Sequence, residues 1–194
     1  MPNGKIQWGR LLGKLSPYTI QKGLRYLKHY GPKEFWVRLH ERFEPEEVPY
    51  GPWYDAYVPT REELEKQKKR KWKYAPKISV VVPAYETPEK FLCQMIDSLL
   101  EQTYENWELC IVDASPGNAS MEYVLREYAN KDSRIQWKKL EKNLGIADNT
   151  NAAFSMASGD FVGLLDHDDL LAPNALYEIA AALEKEPDID VLYT

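Results

Sequence analysis

Five short β-rich runs, each separated from the next by a helical pattern, decide what residues 77–194 can fold into. The runs are "ISVVV" (78–82), "WELCIV" (107–112), "IQWKKL" (135–140), "FVGLL" (161–165) and "DVLYT" (190–194). In "TPEKFLCQMIDSLLEQ", Thr87 stands at an N-cap position and Pro88 at the first helical position, with Leu92, Met95, Ile96 and Leu99 on one face. "SMEYVLREYA" repeats the spacing with Met121, Val124, Leu125 and Tyr128, and "ADNTNAAFSMASG" closes on a glycine stop. "PNALYEIAAALEKE" starts at Pro173 and offers Leu176, Ile179, Ala180 and Leu183. Regular β–α alternation predicts a mostly parallel sheet with helices on both faces. The first and fourth runs are almost continuously apolar, as expected of strands buried on both sides.

The upstream residues have a different rhythm. Thr19 to Phe43 reads as helices interrupted at "YGPKEF", with apolar patches from Tyr18, Leu24, Leu27, Trp36, Val37 and Leu39. Residues 44–60 hold four prolines and read as an irregular connection. A short charged helix follows within residues 59–73, with Thr60 as N-cap and Glu63 at the capping-box position. The expected division is a helical and irregular extension over 1–76 and an α/β domain over 77–194. The charge divides as well. Residues 1–42 carry nine Lys/Arg against two Glu, a net +7, so the remaining residues carry −12 of the total −5. A basic arm points to an anionic partner, a membrane surface or a nucleic acid; its alternative is a solvated helical face.

At 194 residues, 44% of them hydrophobic, the chain has enough apolar matter for one domain with a real core. It contains no run of 18 apolar residues, and "MPNGKIQWGRLLGKLS" has no apolar h-region, so neither a spanning helix nor a signal peptide is expected. Cys93 and Cys110 lie in apolar surroundings without CxxC spacing and read as buried free thiols of a reducing cytosol.

Parallel sheets of this kind hold ligands at the carboxyl ends of their strands. There the chain places "PAYE" (83–86), "DASPGN" (113–118), "EKNLGIADNTN" (141–151) and "DHDD" (166–169). Three acids, Asp166, Asp168 and Asp169, end one apolar run. Like charges so close need a cation, a basic partner or water among them. In an extended stretch Asp166 and Asp168 would face the same way and His167 the other, a hard-oxygen pair suited to Mg²⁺ or Mn²⁺. The alternative is a hydrated turn in which Asp169 bonds backbone amides. Asp113 fits either a hydrogen bond to a base or ribose, or a turn cap. Tyr85 fits stacking on a flat base or ordinary packing, and Asn143 and Gly145 a close backbone approach or a plain left-handed turn. There is no GxGxxG, no GxxxxGK[ST], and no Ser/His/Asp or Cys/His arrangement.

In order and spacing, "ISVVVPAYETP", "SLLEQTYENWELCIVDASPG" and "EKNLGIADNTNAAFSMASGDFVGLLDHDDLLAPNALYEIAAAL" resemble the family 2, GT-A fold, inverting glycosyltransferases over about residues 77–194. "LLDHDDLL" is most similar to the form in bacterial enzymes of O-antigen, rhamnan and other surface-polysaccharide synthesis. The resemblance implies an α/β, Rossmann-like GT-A sheet, incomplete at the C-terminus, and a nucleotide-diphosphate sugar donor with a glycan or lipid-linked acceptor. It implies that Pro83, Tyr85 and Glu86 line the nucleoside pocket, that Asp113 bonds the base, and that Asn143, Gly145 and Asn151 shape the loop near ribose and diphosphate. Asp166 and Asp168 match the DxD motif. Asp168 would bind Mg²⁺ or Mn²⁺, with Asp166 on the ribose or the metal's water shell. The general base is expected beyond Thr194, so this part alone is expected to bind donor and metal without turnover. Two departures touch the donor site: Asp113-Ala114-Ser115-Pro116 stands where many members have "DDGS", and Asn149-Thr150-Asn151 where many have "ARN". With this activity the arm is read toward the inner face of a cell membrane in the cytoplasm, with no nucleic-acid partner. Two other readings of the residues remain: a non-catalytic docking module on an α/β scaffold, and a nucleotidyltransferase.

Overall fold

The computed structural model describes residues 16–43 and 50–192. Lys5, Arg10 and Lys14 of the basic arm, the first part of the proline-rich connection, and the last two residues of "DVLYT" lie outside them. Two compact units divide between Val58 and Pro59.

In the first unit, α1 (Pro17–Phe43) is two helices joined at Gly31, whose φ of 82° and ψ of 170° break the helix just before Pro32. The interruption expected at "YGPKEF" is there. Gly23 faces Phe35, its would-be Cβ 3.6 Å from the ring, so the two arms meet. The connection expected to be irregular contains a helix, α2 (Tyr50–Tyr57). Its Pro52 falls in the first turn, where a missing N–H leaves no hydrogen bond unmade.

The second unit opens with α3 (Arg61–Lys68), and its capping box is formed: Glu63 N–H donates to Thr60 Oγ1 at 3.3 Å, and Thr60 N–H to Glu63 Oε2 at 2.7 Å. Four parallel strands follow: β1 (Ile78–Ala84), β2 (Trp107–Asp113), β3 (Ile135–Lys139) and β4 (Phe161–Leu164). Their order is β3-β2-β1-β4. The helices between and after them are α4 (Glu89–Leu100), α5 (Ala119–Lys131), α6 (Ile146–Phe154) and α7 (Ala175–Lys185).

The pleat explains how both sheet faces are covered. Ile78, Val80, Val82 and Ala84 of β1, with Trp107, Leu109 and Ile111 of β2, join Leu92, Met95, Ile96 and Leu99 of α4, Met121, Val124 and Leu125 of α5, and Leu176 and Ala180 of α7. The alternate residues Val81, Cys110 and Val112 pack on Ala153 of α6. The two-residue period thus feeds two separate cores. Each fully buried Leu, Met or Ile of α4 contributes about 1.5–3 kcal/mol of transfer free energy. Cys93 and Cys110 are free thiols, and burial pushes the Cys110 thiol up to about 11.

Helix starts shift by one or two residues. Pro88, with ψ of 135°, is extended and precedes α4, so Thr87 lies outside the cap position and its buried hydroxyl has no partner. The last helix begins at Ala175 because buried Gln102 sits on its first turn, accepting Leu176 N–H at 3.0 Å while donating to the Ala172 carbonyl at 2.8 Å.

Two expectations about the strands fail. β4 is apolar but not buried on both faces: it ends the sheet beside β1, and Leu164 is 73% exposed. Residues 190–192 of "DVLYT" form no strand. Conversely, β2 holds a charged residue that its apolar appearance concealed. Glu108, 1% exposed, accepts from Lys77 Nζ at 2.5 Å, Ser79 Oγ at 2.6 Å and Ser158 N–H at 2.6 Å, and closes the amino end of the sheet opposite the site.

Candidate functional site

The strand order determines where a ligand fits. From β1 the chain winds outward through β2 to β3, then returns to the other side of β1 to lay down β4. That reversal is a topological switch point, and it opens a crevice at the carboxyl ends of β1 and β4.

At the tip of β1, Pro83 is half-buried, while Tyr85 (47% exposed) and Glu86 project outward. Glu86 has φ of 48°, the sole positive value outside glycine among the described residues. Its N–H donates to Ser115 Oγ at 2.7 Å, and Ala114 N–H donates to the Ala84 carbonyl at 2.8 Å, so the ends of β1 and β2 are tied together.

Asp113, the last residue of β2, is fully buried. Its Oδ1 accepts Ser115 N–H at 2.8 Å, whereas Oδ2 has no hydrogen-bond partner. The parallel register sets Asp113 opposite Lys139 of β3, whose Nζ lies 3.9 Å from Oδ2. Lys139 Nζ donates to Glu122 Oε2 at 2.6 Å, and Glu122 also receives Arg126 Nη2 at 2.7 Å. The hydrogen bond to Glu122 is the largest influence on the Lys139 ammonium and raises its pKa; the same bond lowers that of Glu122. Sequence reasoning missed Lys139 and Ser115. The signal for Lys139 is its cross-strand register, which a strand read alone does not contain.

Over the end of β3, the "KNLG" loop closes on itself. Asn143 Oδ1 accepts Gly145 N–H at 2.9 Å and Asn149 Nδ2 at 2.8 Å, and Asn149 Oδ1 accepts Leu144 N–H at 3.1 Å. Gly145, at φ of 89°, starts α6 in a conformation that disfavours any side chain. Asn149, 4% exposed, is the buried pin of this loop, and Asn151 lies exposed on the same helix.

Asp166 and Asp168 stand at the β4 edge of the crevice, both exposed. The extended geometry expected of them is not present. Asp169 N–H donates to the Asp166 carbonyl at 3.2 Å, and His167 and Asp168 form the turn between. The two carboxylates therefore owe their positions to a turn and not to strand alternation. His167 is half-buried, with Nδ1 unpartnered and 3.9 Å from Asp168 Oδ1. Among the described residues, no three His, Cys, Asp or Glu side chains are grouped to hold a metal. Two exposed hard-oxygen donors fit a cation that keeps waters and completes its shell with phosphate, and do not fit a closed protein cage. The structure thus gathers Tyr85, Glu86 and Asp113 at the joined tips of β1 and β2, with Asp166 and Asp168 beyond β1. Asn143 and Gly145 belong to the loop that leaves β3, and Asn151 to α6, the helix that this loop leads into and that packs on β1 and β2.

Comparison with known proteins places this arrangement. The model of glycosyl transferase family 2 matches residues 79–194. O-antigen biosynthesis protein RfbC of Myxococcus xanthus is 30% identical over 187 residues, covering 96% of this chain and 14% of that protein. The uncharacterized protein y4gI of Sinorhizobium fredii is 39% identical over 125 residues, covering 64% and 14%. This chain therefore spans about a seventh of each of these relatives. Among solved structures, S. aureus TarS 1–349 in complex with UDP-GlcNAc is 29% identical, with a TM-score of 0.53 over 57% of this chain and 32% of that one. The parallel sheet of residues 78–164 is the core of a GT-A fold, and the chain belongs to glycosyl transferase family 2.

Proposed function

We propose that this chain is the donor-binding part of a glycosyltransferase that moves a hexosyl or deoxyhexosyl unit, with inversion, from a nucleotide-diphosphate sugar to a glycan or lipid-linked acceptor of the cell envelope. The observation that carries the reading is the convergence of polar strand ends on the switch point, in a chain 29% identical to a structure holding UDP-GlcNAc. Pro83, Tyr85 and Glu86 border the nucleoside, with Asp113 beneath them; Asn143, Gly145 and Asn151 border the ribose and diphosphate. Asp168, with Asp166, holds Mg²⁺ or Mn²⁺. Bound there, the cation supplies charge neutralisation for the departing diphosphate. The carboxylates supply that cation's negative ligands and are not assigned the role of general base, which inversion requires of another group. A thermal-shift panel of UDP-, dTDP- and GDP-sugars with Mn²⁺ tests the reading: at least one raises Tm by several degrees, and no response to any of them contradicts it.

A second surface supports peripheral attachment of the helical unit to an anionic membrane. No residue of 17–58 whose side chain is described is buried, and Ile20, Leu24 and Val37 are exposed alongside Lys22, Arg25, Lys28, Lys33 and Arg38. Apolar and basic side chains together suit an acidic lipid surface. Among the described residues no helix is long and apolar enough to cross a membrane. Co-sedimentation with phosphatidylserine vesicles, but not with phosphatidylcholine vesicles, is expected.

A further inference from the structure

A chain of polar contacts runs beneath the proposed nucleoside pocket, across three strands. Lys139 of β3 faces Asp113 of β2, their charges 3.9 Å apart, and its ammonium is anchored to Glu122 at 2.6 Å. Asp113 Oδ1 accepts Ser115 N–H at 2.8 Å, and Ser115 Oγ in turn accepts Glu86 N–H at 2.7 Å. At the end of this chain stands the residue with the unusual backbone, Glu86 at φ of 48°. A left-handed conformation at a residue with a Cβ is unfavourable and persists only where its surroundings hold it. The Ser115 hydroxyl is the described side-chain group that does so.

The burial of Asp113 bears on its role. The residue is 0% exposed, and its free Oδ2 is closed off beside Lys139, so neither oxygen is open to a ligand. A carboxylate buried this way is held by its charge partner and by the amide it accepts. We propose that Lys139 and Asp113 are positioning residues: they fix the Ser115 hydroxyl, which fixes the Glu86 turn and so sets the Tyr85–Glu86 rim against the nucleoside. The inference rests on the donor-binding reading and deepens it, because it assigns Asp113 to shaping the pocket from below and not to touching the base.

The test is a double-mutant cycle on nucleotide affinity, measured by calorimetry with UDP, dTDP and GDP in the presence of Mn²⁺. Ser115→Ala removes a single oxygen from a buried position and leaves the fold intact; Lys139→Met removes the anchor. Each is expected to weaken binding of the preferred nucleotide about tenfold. The double variant is expected to bind no more weakly than the poorer single variant, because both cut the same chain. Lys139→Arg is expected to restore affinity to within about twofold. A merely structural role for Lys139 would lower Tm without coupling to Ser115. Wild-type affinity in both single variants, or a double variant weakened about a hundredfold, overturns the positioning role alone. Failure of the wild-type chain to bind any of the three nucleotides overturns the donor-binding reading itself.

Discussion

Glu108→Gln is the substitution whose cost is best determined by the structure. Glu108 sits in the middle of the sheet's amino end with 1% exposure, accepting hydrogen bonds from Lys77, Ser79 and Ser158. Burial, the largest single influence, raises its pKa. The Lys77 ammonium, the Ser79 hydroxyl and the Ser158 amide and hydroxyl together outweigh burial and hold the carboxyl at about 2, against an ordinary 4.5. At about 1.4 kcal/mol per pH unit, the carboxylate contributes about 3 kcal/mol to folding at neutral pH. Because the folded-state pKa is the lower one, this contribution is fully present above pH 5 and is lost as pH falls from about 4.5 toward 2. Glu108→Gln keeps the shape, removes the charge and leaves the half-buried Lys77 ammonium without its counter-ion. Urea unfolding at pH 7 should show a loss of about 3 kcal/mol. Repeated between pH 7 and 3, the wild-type curve should fall toward that of the variant, which lacks this part of the acid dependence. Parallel curves with equal acid sensitivity would refute the assignment of the stabilisation to this ion pair and its hydroxyls.

Two further substitutions probe the packing. A Cβ on Gly159 would lie 2.5 Å from the Lys77 carbonyl and 2.7 Å from Ser79 Oγ, so Gly159→Ala should destabilise by several kcal/mol, read as a lowered Tm. Gly163→Ala, with nothing within 4 Å, serves as its control and should be tolerated. Arg70 stacks on Trp72 at 4.0 Å and donates to Tyr177 Oη at 2.9 Å and Glu184 Oε2 at 2.6 Å, clasping the segment before β1 to α7. Arg70→Ala should cost about 1–3 kcal/mol and change the Trp72 fluorescence; an unchanged Tm and spectrum would show the clasp to be inert.

What was legible in the sequence is what depends on period and local chemistry. The amphipathic faces of α4, α5 and α7, the capping box of α3, and the alternation that makes a parallel sheet are all written in residues a few positions apart. What was not legible depends on neighbours distant in sequence. The exposure of β4 follows from its place at the end of the strand order, and an apolar run looks the same in the centre or at an edge. The role of Glu108 is not visible in its own strand because Lys77 and Ser158, its partners, are 31 and 50 residues away. Lys139 could not be seen to matter until register set it opposite Asp113. The acids of "DHDD" were rightly noticed as a cluster, yet their geometry comes from a turn closed by the Asp169 amide. Pro52 misled in the opposite direction: proline marks a break only when it lies beyond the first helical turn.

The central claim is that the β4 turn and the joined tips of β1 and β2 hold a nucleotide diphosphate through a divalent cation. Calorimetric titration of UDP, dTDP and GDP into the wild-type chain and Asp168→Ala, each with Mn²⁺ and then with EDTA, tests it most directly. Binding of at least one nucleotide that needs Mn²⁺ and is lost in Asp168→Ala, with the variant's Tm unchanged, is the predicted result. Equal binding with EDTA, or in Asp168→Ala, would contradict it.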